Sequence, residues 1–391
     1  MSEEEAVAET SSQEPGSAPR GPLWERIAPS AIDWRSVLLV PLLAVLAALI
    51  LGALLILVTA GPGQVPAAYL ALFQGAFVGM SSVSETFLNA TPLILAGLSV
   101  ALGFRAGLFN IGAEGQMVIG GTTAVIAGFT LSGLPTVIHL PIAVMAGFVG
   151  GAVWGGIPGW LRAKTGAHEV IGTIMLNFIA FRLVEYMLKQ PWIIREGRFD
   201  PISRDVLPSA RFPDILGWIE PSFRLHLGFV LALVMAWLTW WLLFRTSVGF
   251  EFRAVGANPD AAAYAGMSVS GSTILVMAIA GGMGGLAGAN ETLGILGNVF
   301  SGFSSGLGFD AIALALLGRS HPAGVVMAGI LFGALRAGGR TMQVRSEVGI
   351  DLIVVVQSLV IVFIAAPALV RAVFRVRTGE GAGQITRGWS A

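Results

Sequence analysis

Apolar runs of about 20 residues, separated by short polar or Pro/Gly-rich breaks, fill most of the chain between residues 37 and 370. A helical run of that length crosses a hydrocarbon core of roughly 30 Å. The pattern predicts spans at about 37–58, 87–104, 108–129, 137–160, 170–188, 225–244, 269–289 and 349–370. A polar-interrupted stretch with Ser81, Ser82, Ser84 and Glu85 follows the first span, and residues 309–335 hold two short apolar runs broken at Arg319-Ser320-His321-Pro322. The expected fold is all-α, a polytopic helical membrane protein of about ten transmembrane helices. The span order allows an inverted repeat of the second-to-fifth and seventh-to-tenth spans, a plan that places a pathway at the repeat interface.

The polar segments divide the rest. Residues 1–36, with an acidic start and a Ser/Pro/Gly-rich middle, are expected to be a disordered cytoplasmic tail. They lack the basic and adjacent apolar regions of a signal peptide. Residues 37–370 form the transmembrane domain, 190–224 its extracytoplasmic segment, 245–268 a cytoplasmic loop and 371–391 a cytoplasmic tail. With the amino terminus inside, the cytoplasmic segments collect Arg105, Arg162, Lys164, Arg245, Arg253, Arg319 and the terminal arginines, as the positive-inside rule requires. Arg336, Arg340 and Arg345 fall on the wrong side, which leaves the bounds of the eighth and ninth spans open.

Composition narrows the function. Charged residues are 12% of the 391, against about 25% in soluble proteins, and mean hydropathy is +0.79. A formal net charge of zero gives no electrostatic case for nucleic acid. There is no cysteine, and four histidines show no H-x-x-x-H spacing, so no metal site is expected. The two lysines, Lys164 and Lys189, lie outside any G-x-x-x-x-G-K-[ST] pattern, so the chain is not expected to hydrolyse ATP or to hold a cofactor itself.

Several stretches break the apolar pattern in ways that point to chemistry. Gly107–Gly121 opens a span yet carries Asn110, Glu114 and Gln116. A carboxylate near mid-bilayer costs about 2.5–3.5 kcal/mol on insertion scales, so Glu114 is expected to face a cavity or a partner. Gly147, Gly151, Gly155 and Gly159 form a small-residue stripe, and two G-x-x-x-G pairs lie within 281–288; both read as close helix packing. Residues 258–266 read as a short helix: Asn258 as N-cap, Pro259 at the first position, Asp260 at the positive end, alanines at 261, 262 and 263, then Tyr264, with Gly266 as terminator. Such a helix in a cytoplasmic loop is either a surface connector or a docking element whose small face sits in a partner's groove. Asp310 opens a short apolar helix as Glu114 does, and both could be helix caps. Gly302-Phe-Ser304-Ser-Gly306 fits G-x-S-x-G, which would pair Ser304 with His321, but it lacks the strand–turn–helix context of a hydrolase.

Four of these segments together resemble the permeases of bacterial ATP-binding cassette importers, in the branch that moves simple sugars and nucleosides. They are F-N-I-G-A-E-G-Q at 109–116, G-A-N-P-x-A-A-x-x-x-G at 256–266, G-x-G-F-D-x-I-A-x-A-L-L-G-R-x-x-P-x-G at 306–324, and His168-Glu-Val-Ile-x-Thr173-Ile-Met-x-Asn177. The resemblance implies an inner-membrane permease working by alternating access. Its partners would be a cytoplasmic ATPase that holds the ATP and Mg, a second permease in a heterodimer, and an extracytoplasmic substrate-binding lipoprotein. It makes 258–266 a coupling helix, with Asn258, Pro259, Asp260, Ala261, Ala262, Tyr264 and Gly266 docking the ATPase. Asn89, Asn110, Glu114, Thr173, Asn177 and Asp310 are the candidate substrate pathway. The long tail and the extended 189–224 segment look more like nucleoside than ribose permeases. A sugar permease is the alternative, and a secondary transporter or channel using Glu114 and Asp310 is the reading from outside the family.

Overall fold

The computed structural model describes residues 34–215, 217, 222–346 and 351–365. Thirteen α-helices are present among them: α1 (Trp34–Ala60), α2 (Gln64–Phe77), α3 (Met80–Arg105), α4 (Ala113–Thr130), α5 (Thr136–Thr165), α6 (Glu169–Leu188), α7 (Gly228–Arg245), α8 (Ser247–Ala257), α9 (Pro259–Tyr264), α10 (Val269–Asn290), α11 (Leu307–Leu317), α12 (Pro322–Ser346) and α13 (Asp351–Ala365). A π-helical stretch, Glu291–Leu296, continues α10. Among the described residues, seven helices are long and apolar enough to cross a membrane: α1, α3, α5, α6, α7, α10 with its extension, and α12. The expected count of about ten is not reached among the described residues, for identifiable reasons. The expected third span, 108–129, becomes α4, which starts at Ala113 because residues 106–112 are not helical. Glycines and polar residues fill its first turns. The 309–335 region divides into α11, only 11 residues long, and the 25-residue α12. The tail at 1–33, the ends of the last predicted span and residues 371–391 lie outside the described residues, while residues 34–36, assigned to the tail, already belong to α1.

Burial sorts the spans into a hub and a rim. The apolar windows of α3, α10 and α12 are 83%, 78% and 61% buried, while those of α5, α6 and α7 are only 22–28% buried and show apolar side chains outward. Lipid is as apolar as leucine, so hub and rim must be joined by close packing rather than by hydrophobic burial. The glycine stripe does this. Gly147, Gly151, Gly155 and Gly159 are the buried face of α5. A Cβ at Gly151 would lie 2.6 Å from Gly285 Cα, and one at Gly155 would lie 2.6 Å from the Met277 carbonyl oxygen. Gly120 of α4 meets Gly285 and Gly147 in the same seam.

The helical body has two distinct ends. At one, Arg105 donates to the Ser320 carbonyl at 2.9 Å, Gly107 lies on the backbone of Gly256, and Arg162 pairs with Glu169. Helices α8 and α9 are here. At the other, residues 190–215 cover the helix ends: Leu207 N donates to the Gly128 carbonyl at 3.0 Å, His139 of α5 bonds Ser209 at 2.7 Å, and Ser203 N donates to the Val299 carbonyl at 2.9 Å. His226 stacks on Phe212 there, and burial together with Arg224 lowers its pKa to about 4.

Candidate substrate pathway and docking helix

Two interrupted helices meet in the interior. Gly107 takes a φ of +68° directly against Gly256, a position with no room for a Cβ, and the chain then runs without regular structure to Gly112. A helix that starts in the interior leaves its first N–H groups without partners. Here the N–H groups of Gly112 and Gly115 are met by side chains named from the sequence. Asn177 accepts from Gly115 N at 2.8 Å and donates to the Ile111 carbonyl at 3.0 Å. Asn110 accepts from Gly112 N at 3.0 Å, donates to Ser99 at 3.2 Å, and exchanges two 3.0 Å bonds with the Gln116 amide. Thr173 packs its Cβ near Gly112 and donates to the Val170 carbonyl. All of these side chains are buried.

Glu114 serves the opposing helix. Its carboxylate accepts from Ser304 Oγ at 2.5 Å, Gly306 N at 3.2 Å and Gly308 N at 2.6 Å. It therefore caps α11 from across the chain, where a negative charge complements the positive helix end. Gly308 touches the Glu114 backbone, so α4 and α11 begin side by side and run to opposite ends of the body.

Asp310 and Asn89 belong to a second cluster. Asp310 pairs with Arg336 at 2.5 Å. Asn89 accepts from Arg340 at 3.1 Å, and Glu85 pairs with Arg224 at 3.1 Å and Arg340 at 3.5 Å. Glu85, Asn89, Arg224, Glu291, Arg336 and Arg340 surround a cavity of about 200 Å³. Counting Asp310, three acids balance three arginines. Glu291 lines the cavity and forms no hydrogen bond or ion pair among the described residues. The structure thus divides the six pathway candidates: Asn110, Glu114, Thr173 and Asn177 at the start of α4, Asn89 and Asp310 at the charged cavity.

Sequence reasoning missed Glu85, Arg224, Glu291, Arg336 and Arg340. A signal existed, because Glu85 with Asn89 and Arg336 with Arg340 are spaced four apart and share helix faces. The arginines that broke the charge rule are paired within the protein: Arg336 with Asp310, Arg340 with Glu85, and Arg345 with Gln74. Ser304, dismissed with the G-x-S-x-G pattern, is the buried partner of Glu114. The 11 residues of α11, about 16 Å of helix, separate it from His321, which stacks on Phe244.

The short helix forms as the sequence predicts. Asn258 Oδ1 accepts from Ala261 N at 2.9 Å, Pro259 leads α9, and Gly266 closes it at φ +82°. Asp260, Ala261 and Ala263 are exposed, and Tyr264 is 99% exposed. Ala262, expected on the docking face, is only 4% exposed and packs inward. The sequence also missed α8, which Thr246 caps by accepting from Gly249 N at 3.0 Å.

The model of the family described as "Branched-chain amino acid transport system / permease component" matches residues 82–365. The chain is 41% identical to the guanosine ABC transporter permease protein NupP of Bacillus subtilis over 88% of this chain and 98% of that protein. It is 37% identical to the glucose ABC transporter permease protein TsgB13 of Haloferax volcanii over 83% of this chain and 86% of that one. It is 34% identical to the nucleoside ABC transporter permease protein NupB of Lactococcus lactis over 85% and 92%, respectively. No solved structure matches the chain.

Proposed function

The chain belongs to the branched-chain amino acid transport system / permease component family, an integral multi-pass membrane protein, and on that premise we propose that it is the permease of an ATP-binding cassette importer for nucleosides. The observation that carries the mechanism is the exposed, doubly capped helix α9, joined through α8 to the Gly256–Gly107 contact. That contact lies just before the Asn110 and Glu114 networks. A push on α9 by a cytoplasmic ATPase therefore reaches the start of α4 through backbone touching backbone, with no flexible side chain between. Two interrupted helices that begin together in the interior are the kind of element whose rearrangement can open a path to one side and then the other. ATP and Mg belong to the ATPase in this reading, a second permease completes the pathway, and a binding lipoprotein delivers substrate. The hydrogen-bonding side chains around the polar cavity suit a polar, hydrogen-bonding solute.

Two nucleoside permeases among the compared relatives, one of them 41% identical over nearly its whole length, favour nucleosides over sugars. The test is uptake of labelled guanosine by cells that express the chain with its partner subunits. Excess unlabelled nucleosides should compete, and excess glucose or ribose should not. Strong competition by a sugar with none by a second nucleoside would reverse the assignment.

A further inference from the structure

Resting on the nucleoside reading, we propose that the cavity beneath residues 300–306 is a subsite for the aromatic base, with Phe300 and Phe309 as its stacking walls. The cavity measures about 330 Å³, within the range of small-molecule sites. Four phenylalanines line it, Phe181, Phe300, Phe303 and Phe309. Base–aromatic stacking is worth about 1–3 kcal/mol per base and tolerates different bases, because each presents a π-face. Ser301 and Ser305, on the same wall, are exposed, and their hydroxyls bond to nothing among the described residues. They are free to pair with the polar edge of a base.

The cavity is preformed. Ser305 holds a φ of +48° between Gly302 at +79° and Gly306 at +78°. A side-chain-bearing residue stays in that left-handed region only where its surroundings over-determine it. Here the three hydrogen bonds to Glu114 do so, which makes Glu114 a positioning residue for the wall. Phe309 is 45% exposed on a helix that starts inside the body, and the serines beside it would be costly against lipid. Both features suit a wet path walled by a second subunit.

The chain has no cysteine, so Ser301→Cys introduces one thiol. The variant is assembled with its ATPase, second permease and binding protein, each freed of reactive cysteines, in liposomes. The rate of thiol modification is then read with and without guanosine, inosine or ribose, alongside guanosine uptake. Guanosine and inosine should slow modification by about an order of magnitude, and ribose should not. Adding Phe309→Leu should raise the guanosine concentration needed for protection about tenfold, the loss of one stack, with protection read against that variant's own unprotected rate. Equal protection by ribose, or full protection despite Phe309→Leu, would overturn the base subsite. Uptake without protection sinks the subsite alone, and absence of guanosine uptake by the unaltered importer sinks the nucleoside reading with it.

Discussion

A buried carboxylate in an apolar span is expensive, and Glu114 shows what offsets the cost. Three donors meet its two oxygens, and all three come from residues 304–308, roughly 190 positions away in the chain. The sequence pointed Glu114 at a cavity or a partner and left open whether it caps a helix or touches substrate; distance along the chain hid Ser304. Glu114→Gln keeps the shape but turns one end into an N–H₂ group that points at existing donors. It should cost about 1–3 kcal/mol, the penalty for an unmade buried hydrogen bond. Glu114→Ala should cost more, since it leaves all three donors unpaired and adds a cavity. Apparent melting temperatures of the detergent-solubilised protein should fall in the order wild type, Gln, Ala. A melting temperature unchanged in Glu114→Ala would remove the capping role.

At the scale of elements, the glycine stripe and its partner pairs were fully legible, because a fixed spacing of four states both the face and the need for close approach. Gly151→Ala should push α5 off α10, as its Cβ meets the Gly285 backbone, which cannot give. Overpacking of this kind costs about 1–3 kcal/mol. Gly156→Ala, one face away, meets only Ala278 Cβ at 3.8 Å and should be neutral or stabilising by about 0.5–1 kcal/mol. Melting curves of the two variants compare them directly, and equal shifts would show that the seam is loose. Helix α9 was legible for the same kind of reason: its caps are local. Helix α8 and the length of α12 were not, since one is a polar continuation of a span and the other carries arginines whose acidic partners lie elsewhere in the chain. The burial of Ala262 changes which residue tests docking, because Ala262→Arg would damage the chain's own packing. Tyr264→Ala instead removes a fully exposed ring. It should leave stability within about 0.5 kcal/mol and weaken co-purification of the ATPase by tenfold or more, as loss of an aromatic anchor does. Unchanged co-purification would make α9 a passive connector.

For the whole molecule, the two ends differ in the length of the segments that carry their basic residues, and that difference predicts the orientation. At the α9 end Arg162, Lys164, Arg245, Arg253 and Arg319 sit in short connections or helix ends. At the other end Arg195 pairs with Asp205, Arg198 with Asp200 at 2.7 Å and Arg204 with Glu196 at 3.5 Å, all within one long segment, while at the α9 end Arg162 pairs with Glu169. The positive-inside rule weighs basic residues in short loops, and long segments cross largely regardless of charge. The α9 end is therefore expected in the cytoplasm and residues 190–224 outside. This fits the mechanism, because an ATPase can reach α9 only from the cytoplasm, and the half-helices α4 and α11 then run from one shared interior point toward opposite faces. Phe199 and Tyr264 are both fully exposed, at opposite ends, in a chain without cysteine. Expressed without partner subunits, Phe199→Cys should react with an impermeant thiol reagent in intact cells. Tyr264→Cys should react only after the membrane is opened. The reverse pattern would turn the body over, place α9 beyond reach of any ATPase, and leave the coupling path through Gly256 and Gly107 without a source of force.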